Sequence, residues 1–355
     1  NLGAPAKMSL DRKNNRLRAV ATQAGYFSLQ GDPASNVILQ DPSLVKEVDA
    51  SLDFNQLVEF DSGQLAVMGD NQQSQVMVVD SASTPAQPRL VSLVPFGTQS
   101  SEAVAFQGSL LVPFQEGMIR LFNLQDGQES VLPFQPRLQP GDQKAWSVPV
   151  VDQQSPGRFV VLENGRSLYR IGVKKSPQPH LAAFQQRSLE EPLLGSITTL
   201  GDTVFAVSRQ ADHDVIVTLQ LPGFEDDHKW PLKGRVVWGP QRVNDRVFVV
   251  SDQEGLVCFD SEWAWWRTSA VLRWQSELSY GHLAGVPLEH EGNYWLASTS
   301  GIVWQVDRET GQEIKKPAPL RIQEPLWGNP VVYEKQLWLP GIDGALYVIP
   351  LPPAT

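Results

Sequence analysis

What most restricts the fold of this chain is a phrase that it repeats. The phrase is clearest at 328–351, GNPVVYEKQLWLPGIDGALYVIPL. Three apolar-rich runs, NPVVY, QLWLP and ALYVIPL, are parted by turns at Glu334-Lys335 and Asp343-Gly344. Short alternating runs split by a turn dipeptide such as Asp-Gly predict antiparallel hairpins. Copies of the phrase begin near Ser9, Asn55, Ser101, Ser147, Gly195, Gly239, Gly285 and Gly328. Their mean spacing is about 46 residues, the period of a four-stranded propeller blade. Fourth-strand candidates follow several copies: NVILQ at 36–40, RLVSLV at 89–94, HLAAFQQ at 180–186 and AVLRWQ at 270–275.

A lone sheet of this size cannot cover both its faces. Copies set side by side around an axis cover one another and leave only short edges. Helical periodicity is weak, and the 27 Gly and 27 Pro fall between strands. The expectation is one all-β domain over 1–355: an eight-bladed β-propeller of four-stranded antiparallel blades. Seven blades is the alternative, should the first copy not be a blade. The last copy has no obvious fourth strand. NLGAPAKM, in which Leu2, Ala4, Ala6 and Met8 alternate, is the candidate to supply it.

Charge narrows the partners. The net charge is −10, which disfavours nucleic acid and anionic membrane surfaces. No run of 18 apolar residues is present, so no transmembrane helix is expected. A start at Asn1, with no signal peptide, is expected of a mature or trimmed product. The single cysteine, Cys258 in LVCFD, excludes an internal disulfide and reads as a buried inert thiol.

Two phrases that follow Gly turns, WQVDRETGQE at 304–313 and ALYVIPL at 345–351, resemble the pyrroloquinoline-quinone-type propeller repeat. The copies at 239, 285 and 328 match it best. The resemblance implies a propeller of the quinoprotein dehydrogenase type. In size the chain is similar to small scaffold members of that class, such as the bacterial barrel-assembly lipoproteins. Quinoprotein dehydrogenases carry an adjacent Cys-Cys pair, a calcium site and a longer chain. One cysteine here argues against pyrroloquinoline quinone as a cofactor and against dehydrogenase activity. The resemblance also implies a periplasmic or other extracytoplasmic location.

Catalytic motifs do not emerge. His180, His213, His228, His282 and His290 lack metal-ligand spacing, so neither a metal nor another cofactor is expected. No G-x-S-x-G, Walker A or G-x-G-x-x-G occurs. The acidic run Glu225-Asp226-Asp227-His228 reads as a solvated loop rather than a calcium loop.

The tryptophans are unevenly spread: of eleven, all but Trp146 lie between Trp230 and Trp338. Trp146, Trp238 and Trp327 each open the first strand of a copy. They are candidate ligand-binding residues around a channel mouth, near hairpin tips such as Asn164-Gly165 and Asp343-Gly344, although packing between blades would equally place them there. Trp263, Trp265 and Trp266 in SEWAWWRTS follow a third strand and are expected in a loop. Leaving one indole in water forgoes up to about 4–6 kcal/mol. Three together are a candidate partner-binding patch, unless the loop folds back over the blade.

The reading that follows is a non-catalytic scaffold of the bacterial envelope that binds a protein or peptide. One alternative is a small-ligand or sugar-binding site, or an enzyme, at the channel mouth, including a quinone-dependent dehydrogenase. Another is a sensor domain of a larger protein.

Overall fold

The computed structural model describes residues 7–11, 16–21, 25–32, 37–40, 56–69, 74–80, 88–137, 143–264 and 267–351. Strands and turns account for the structure, and no helix occurs among the described residues. The chain divides into two compact units.

The first unit comprises residues 1–70, 76–90 and 278–355. Its opening sheet contains β1 (Lys7–Asp11), β2 (Arg16–Ala21), β3 (Gly25–Asp32) and β4 (Val37–Gln40) in that order. Next comes a sheet of β5 (Gln56–Glu59), β6 (Leu65–Met68), β7 (Gln75–Val79) and β8 (Pro88–Ser92).

The second unit, 71–75 and 91–277, holds four sheets. These are β9 (Val104–Phe106), β10 (Ser109–Pro113) and β11 (Ile119–Phe122); β12 (Val150–Val151), β13 (Arg158–Glu163), β14 (Ser167–Lys174) and β15 (His180–Ser188); β16 (Leu193–Leu200), β17 (Thr203–Arg209), β18 (Asp214–Gln220) and β19 (Glu225–Pro231); and β20 (Val236–Val243), β21 (Arg246–Ser251), β22 (Gly255–Ala264) and β23 (Arg267–Ser276).

The chain then returns to the first unit. There it forms β24 (Leu288–His290), β25 (Asn293–Ala297), β26 (Ile302–Asp307) and β27 (Leu320–Arg321), and last β28 (Val331–Tyr333), β29 (Gln336–Pro340) and β30 (Leu346–Pro350).

Middle strands read as nearly continuous apolar runs because both of their faces are covered. On β13, Phe159 and Val161 pack toward the β9–β11 sheet, whereas Val160 and Leu162 pack toward β16–β19. On β17, Val204 and Ala206 face back and Phe205 and Val207 face on. The period-2 alternation of a strand sorts its side chains between two neighbouring sheets rather than between core and water. The same holds in the first unit. Leu337 and Leu339 of β29 pack with Trp295, Ala297 and Leu326, while Trp338 packs with Tyr333, Met8 and Leu17. The opening sheet therefore packs on the closing one.

The turn at Glu334-Lys335 is a two-residue hairpin with both residues left-handed, φ 49° and 59°. That conformation matches the strand twist and sets the β28–β29 register, Tyr333 against Gln336.

The expectation of eight four-stranded blades is corrected. Among the described residues six sheets have four strands outright. The β9–β11 sheet gains a fourth, irregular strand from 129–134. Phe134 and Ile119 exchange backbone bonds of 2.9 and 3.0 Å, and Ser130 N–H donates to Leu121 O at 2.7 Å. Seven four-stranded antiparallel blades result. The copy opening at Gly328 stops at three strands among the described residues. After Leu351 the sequence continues Pro352-Pro353, which has no N–H to extend a ladder. Of the segment before Ser9, Lys7 and Met8 pair with Val20 and Ala19 of β2. Residues 1–6 lie outside the described residues. The first copy, on which the seven-blade alternative turned, does form a four-stranded sheet.

Candidate functional site

In the second unit the innermost strands of three successive sheets, β12, β16 and β20, border a cleft of about 610 Å³. That volume is within the usual range for ligand sites, roughly 300–1,000 Å³. Val148 and Val150 come from one wall, Leu194 to Thr198 from the next, and Val236 to Gln241 from the third. Among the described residues, Glu102 is the only ionisable side chain in the lining. Val237 and Val148 are 49% and 39% exposed.

Two of the walls are irregular. The β16–β17 ladder passes from Leu193↔Ser208 directly to Ile197↔Ala206, leaving Leu194, Gly195 and Ser196 without a cross-strand partner. On β20 the ladder slips twice, and Val237, Gly239 and Pro240 are the residues passed over. Bulges of this kind bend a strand and re-aim its side chains. Gly239 is obligatory at its place. Its φ is +87°, and a Cβ there would meet Phe248 O at 2.6 Å.

The three tryptophans that open copies meet three environments. Trp146 is buried with Phe134 and Tyr169, at ring-centroid distances of 6.3 and 5.9 Å. Its backbone N–H donates to Ser100 Oγ at 2.9 Å. It belongs to the core between two sheets. Trp238 is half-buried and lines the cleft. Trp327, in the first unit, is 52% exposed and held by its N–H to Pro340 O. Two hairpin tips lie close in the chain fold to these tryptophans. Asn164 Oδ1 accepts from Ala145 N–H at 2.7 Å, and Ile342, equally exposed, bonds Pro325 O next to Trp327.

Beneath Trp146 lies a polar network. Lys144 Nζ and Tyr169 OH both reach Glu163, each at 2.6 Å. Burial first, and the Glu163 carboxylate second, push the Tyr169 hydroxyl above its ordinary range. At the start of β20 the support is ionic. Asp214 receives Arg209 at 3.1 and 3.2 Å, Arg235 Nη1 at 2.9 Å and the Val236 N–H at 2.9 Å. Burial works against the charge of Asp214. The bonds from Arg209, Val236 and Arg235 outweigh it and hold the carboxyl below its ordinary 3.8. This clamp ties β20 to β17 and β18 and sets where Trp238 stands.

Trp263 lies in β22, paired with Thr268, where a loop was expected. Trp265, Trp266 and the side chain of Trp263 lie outside the described residues. The acidic run is likewise a strand, the start of β19, and not a loop. Thr218 Oγ1 donates to Asp227 at 3.2 Å, and the His228 ring stacks on Trp230 at 5.1 Å. Cys258 is buried, and burial pushes its thiol up to about 12. Among the described residues no group of three His, Cys, Asp or Glu is arranged to hold a metal, and no helix is long and apolar enough to cross a membrane. Sequence reading missed the Asp214 clamp and the bulged cleft walls. Gly195 and the Gly239-Pro240 pair, both within strands, were the available signals.

Residues 229–317 match the family model described as outer membrane protein assembly factor BamB. No curated protein matches the chain by sequence. Among solved structures, BamB from Moraxella catarrhalis aligns over 96% of this chain and 95% of its own, with a TM-score of 0.61 and 13% identity. The computationally designed Ika8 protein aligns over 99% and 97%, with a TM-score of 0.64 and 12% identity. These likenesses show the fold, a β-propeller of the PQQ-repeat kind, as the sequence resemblance implied.

Proposed function

We propose that this chain is a non-catalytic protein-interaction scaffold of the bacterial envelope, serving outer-membrane protein assembly. The observation that carries the reading is the inner-strand cleft. Apolar and hydroxyl side chains line it, with a single ionisable group, Glu102, and that composition suits binding better than acid–base chemistry. The family match supports the same reading, because 229–317 includes the β20 wall from Val236 to Gln241.

Site-specific photo-cross-linking in cells tests it. Benzoylphenylalanine at Val237 or Val148 should yield discrete adducts with an outer-membrane assembly component. The same probe at Leu272, exposed on outer strand β23, should not. Equal adducts at all three positions, or none at the cleft, would reject the reading.

A small neutral ligand such as a glycan is the second reading. The cleft volume and the proximity of Trp238, Ser196 and Gln241 along its lining favour it. Saturable glycan binding abolished by Trp238→Ala, with no protein adducts, would place it first.

A further inference from the structure

We propose that the tip of the β14–β15 hairpin docks on the surface of an anionic phospholipid bilayer. The proposal stands apart from the scaffold reading, because the cleft takes no part in it. Between Glu163 and Glu190 the chain has no acidic residue and five Lys or Arg, although the net charge of the whole is −10. Two of these cations are answered within the fold: Arg170 Nε donates to Asp152 at 2.7 Å, and Arg187 reaches Asp226 at 2.9 Å. Lys174 and Lys175, and Arg158 at the start of β13, form no ion pair among the described residues. These three stand at one end of the sheet, where Arg158 is in register with Gly172 and Lys174 with His180. The β14–β15 ladder passes over Phe184. Its ring covers Gly172 and gathers two of the cations, with Arg158 Cζ at 4.2 Å and Lys174 Nζ at 5.2 Å from the ring centroid. The ring face attracts each cation while the cations repel each other, and an anion set against both relieves the repulsion.

The form of the site decides the kind of anion. Lys174 to Pro179 are all exposed, so the cations stand on a hairpin tip. One free anion there gains about fivefold at most, as exposed ion pairs do in water. A bilayer offers many headgroups at once, and each Lys or Arg near an anionic surface strengthens partition about fivefold, so three give about 100-fold. The net charge does not undo this. At physiological salt a charge is screened beyond about 8 Å, so the groups at the tip are the ones that meet the surface. The acid in the turn that leads into Arg158 is Asp152, which is fully buried and held by Arg170. At the edge of the tip Leu132, bonded to the backbone of Pro179 and Leu181, bares an apolar side chain that is 46% exposed. A second pair, Lys315-Lys316, occupies the corresponding loop between the third and fourth strands of the β24–β27 sheet, but with Asp307, Glu309 and Glu313 close in sequence.

Flotation of the intact protein with vesicles tests this. Partition onto equal parts phosphatidylglycerol and phosphatidylcholine should exceed that onto phosphatidylcholine alone by at least about tenfold, and should fall as salt is raised. Lys174→Glu with Lys175→Glu should lower it by about 25-fold or more, with the melting temperature unchanged because both side chains are exposed. Lys315→Glu with Lys316→Glu alters the net charge by the same amount and should leave partition within about twofold. Glycerol phosphate at the same phosphate concentration should not release the protein. Equal partition onto the two kinds of vesicle overturns the proposal, and that comparison needs no variant. Equal loss from both Lys pairs assigns the binding to net charge and overturns it as well. Release by glycerol phosphate would give the tip to a free anion. Saturable binding of a decaglutamate peptide, without binding to vesicles, would give it to an acidic protein segment; either result rejects the bilayer.

Discussion

The sheets that begin at Trp146 and at Trp238 hold the same residue at the same point of the repeat, and secure it by opposite means. Trp146 is fixed by apolar packing: Phe134 and Tyr169 close on its ring, and the indole is 4% exposed. At the second sheet the strand is fixed by charge. Asp214 draws in Arg209, Arg235 and the Val236 N–H, so the indole two residues on is free to serve as cleft wall. A position in a repeat thus sets where a side chain starts, and its long-range partners decide whether it becomes core or surface.

This contrast can be broken at its apolar end first. Trp146→Ala removes a buried indole and should cost about 3–5 kcal/mol in urea unfolding, at every pH where the protein folds. A loss below about 1 kcal/mol would mean that the ring is not core.

The ionic end should respond to pH. Asp214→Asn should cost about 1.5–3 kcal/mol at pH 7, from weakened charge-assisted bonds. The folded carboxyl lies below its ordinary 3.8, so its contribution is present above that value and is lost as pH falls through the lower, folded one. Urea midpoints of the two proteins should therefore converge on acidification. A gap that is constant with pH would assign the Asn effect to packing.

The smallest change sharpens the contrast. Trp238→Ala should move stability by less than about 1 kcal/mol, since the indole is only half-buried, while reducing the cross-linked adducts formed from Val237 in the cleft. A loss matching that of Trp146→Ala would erase the distinction.

Much of this architecture was legible because strand signals are local. The hairpins of 328–351 follow from alternation and turn chemistry, and the expected fourth strands at 36–40, 89–94, 180–186 and 270–275 overlap β4, β8, β15 and β23. Blade completeness was less legible, because the strand along β11 is broken and that copy's fourth strand is defined by a few bridges. Glu225 to His228 misled for a different reason. Charge suggests a loop, yet an outermost strand faces water and tolerates it. The cleft was out of reach: its walls arise where Gly195 and Gly239-Pro240 throw two ladders out of step, a consequence of pairing with strands further along the chain.

The packing of Met8 and Leu17 against Tyr333 and Trp338 bears on how the molecule comes into being. Leu17 leaves the ribosome about 320 residues before its partner does. In equilibrium terms the delay is slight, since closing so long a loop costs only about 0.6 kcal/mol more than closing one half as long. In time it is not slight, because contacts of this separation form last and slowly. Until residues 331–340 are made, Met8 and Leu17 of the opening sheet lack their apolar partners. An apolar face left open in this way is prone to aggregation, and loss of the hairpin at 336–350 should leave it open permanently.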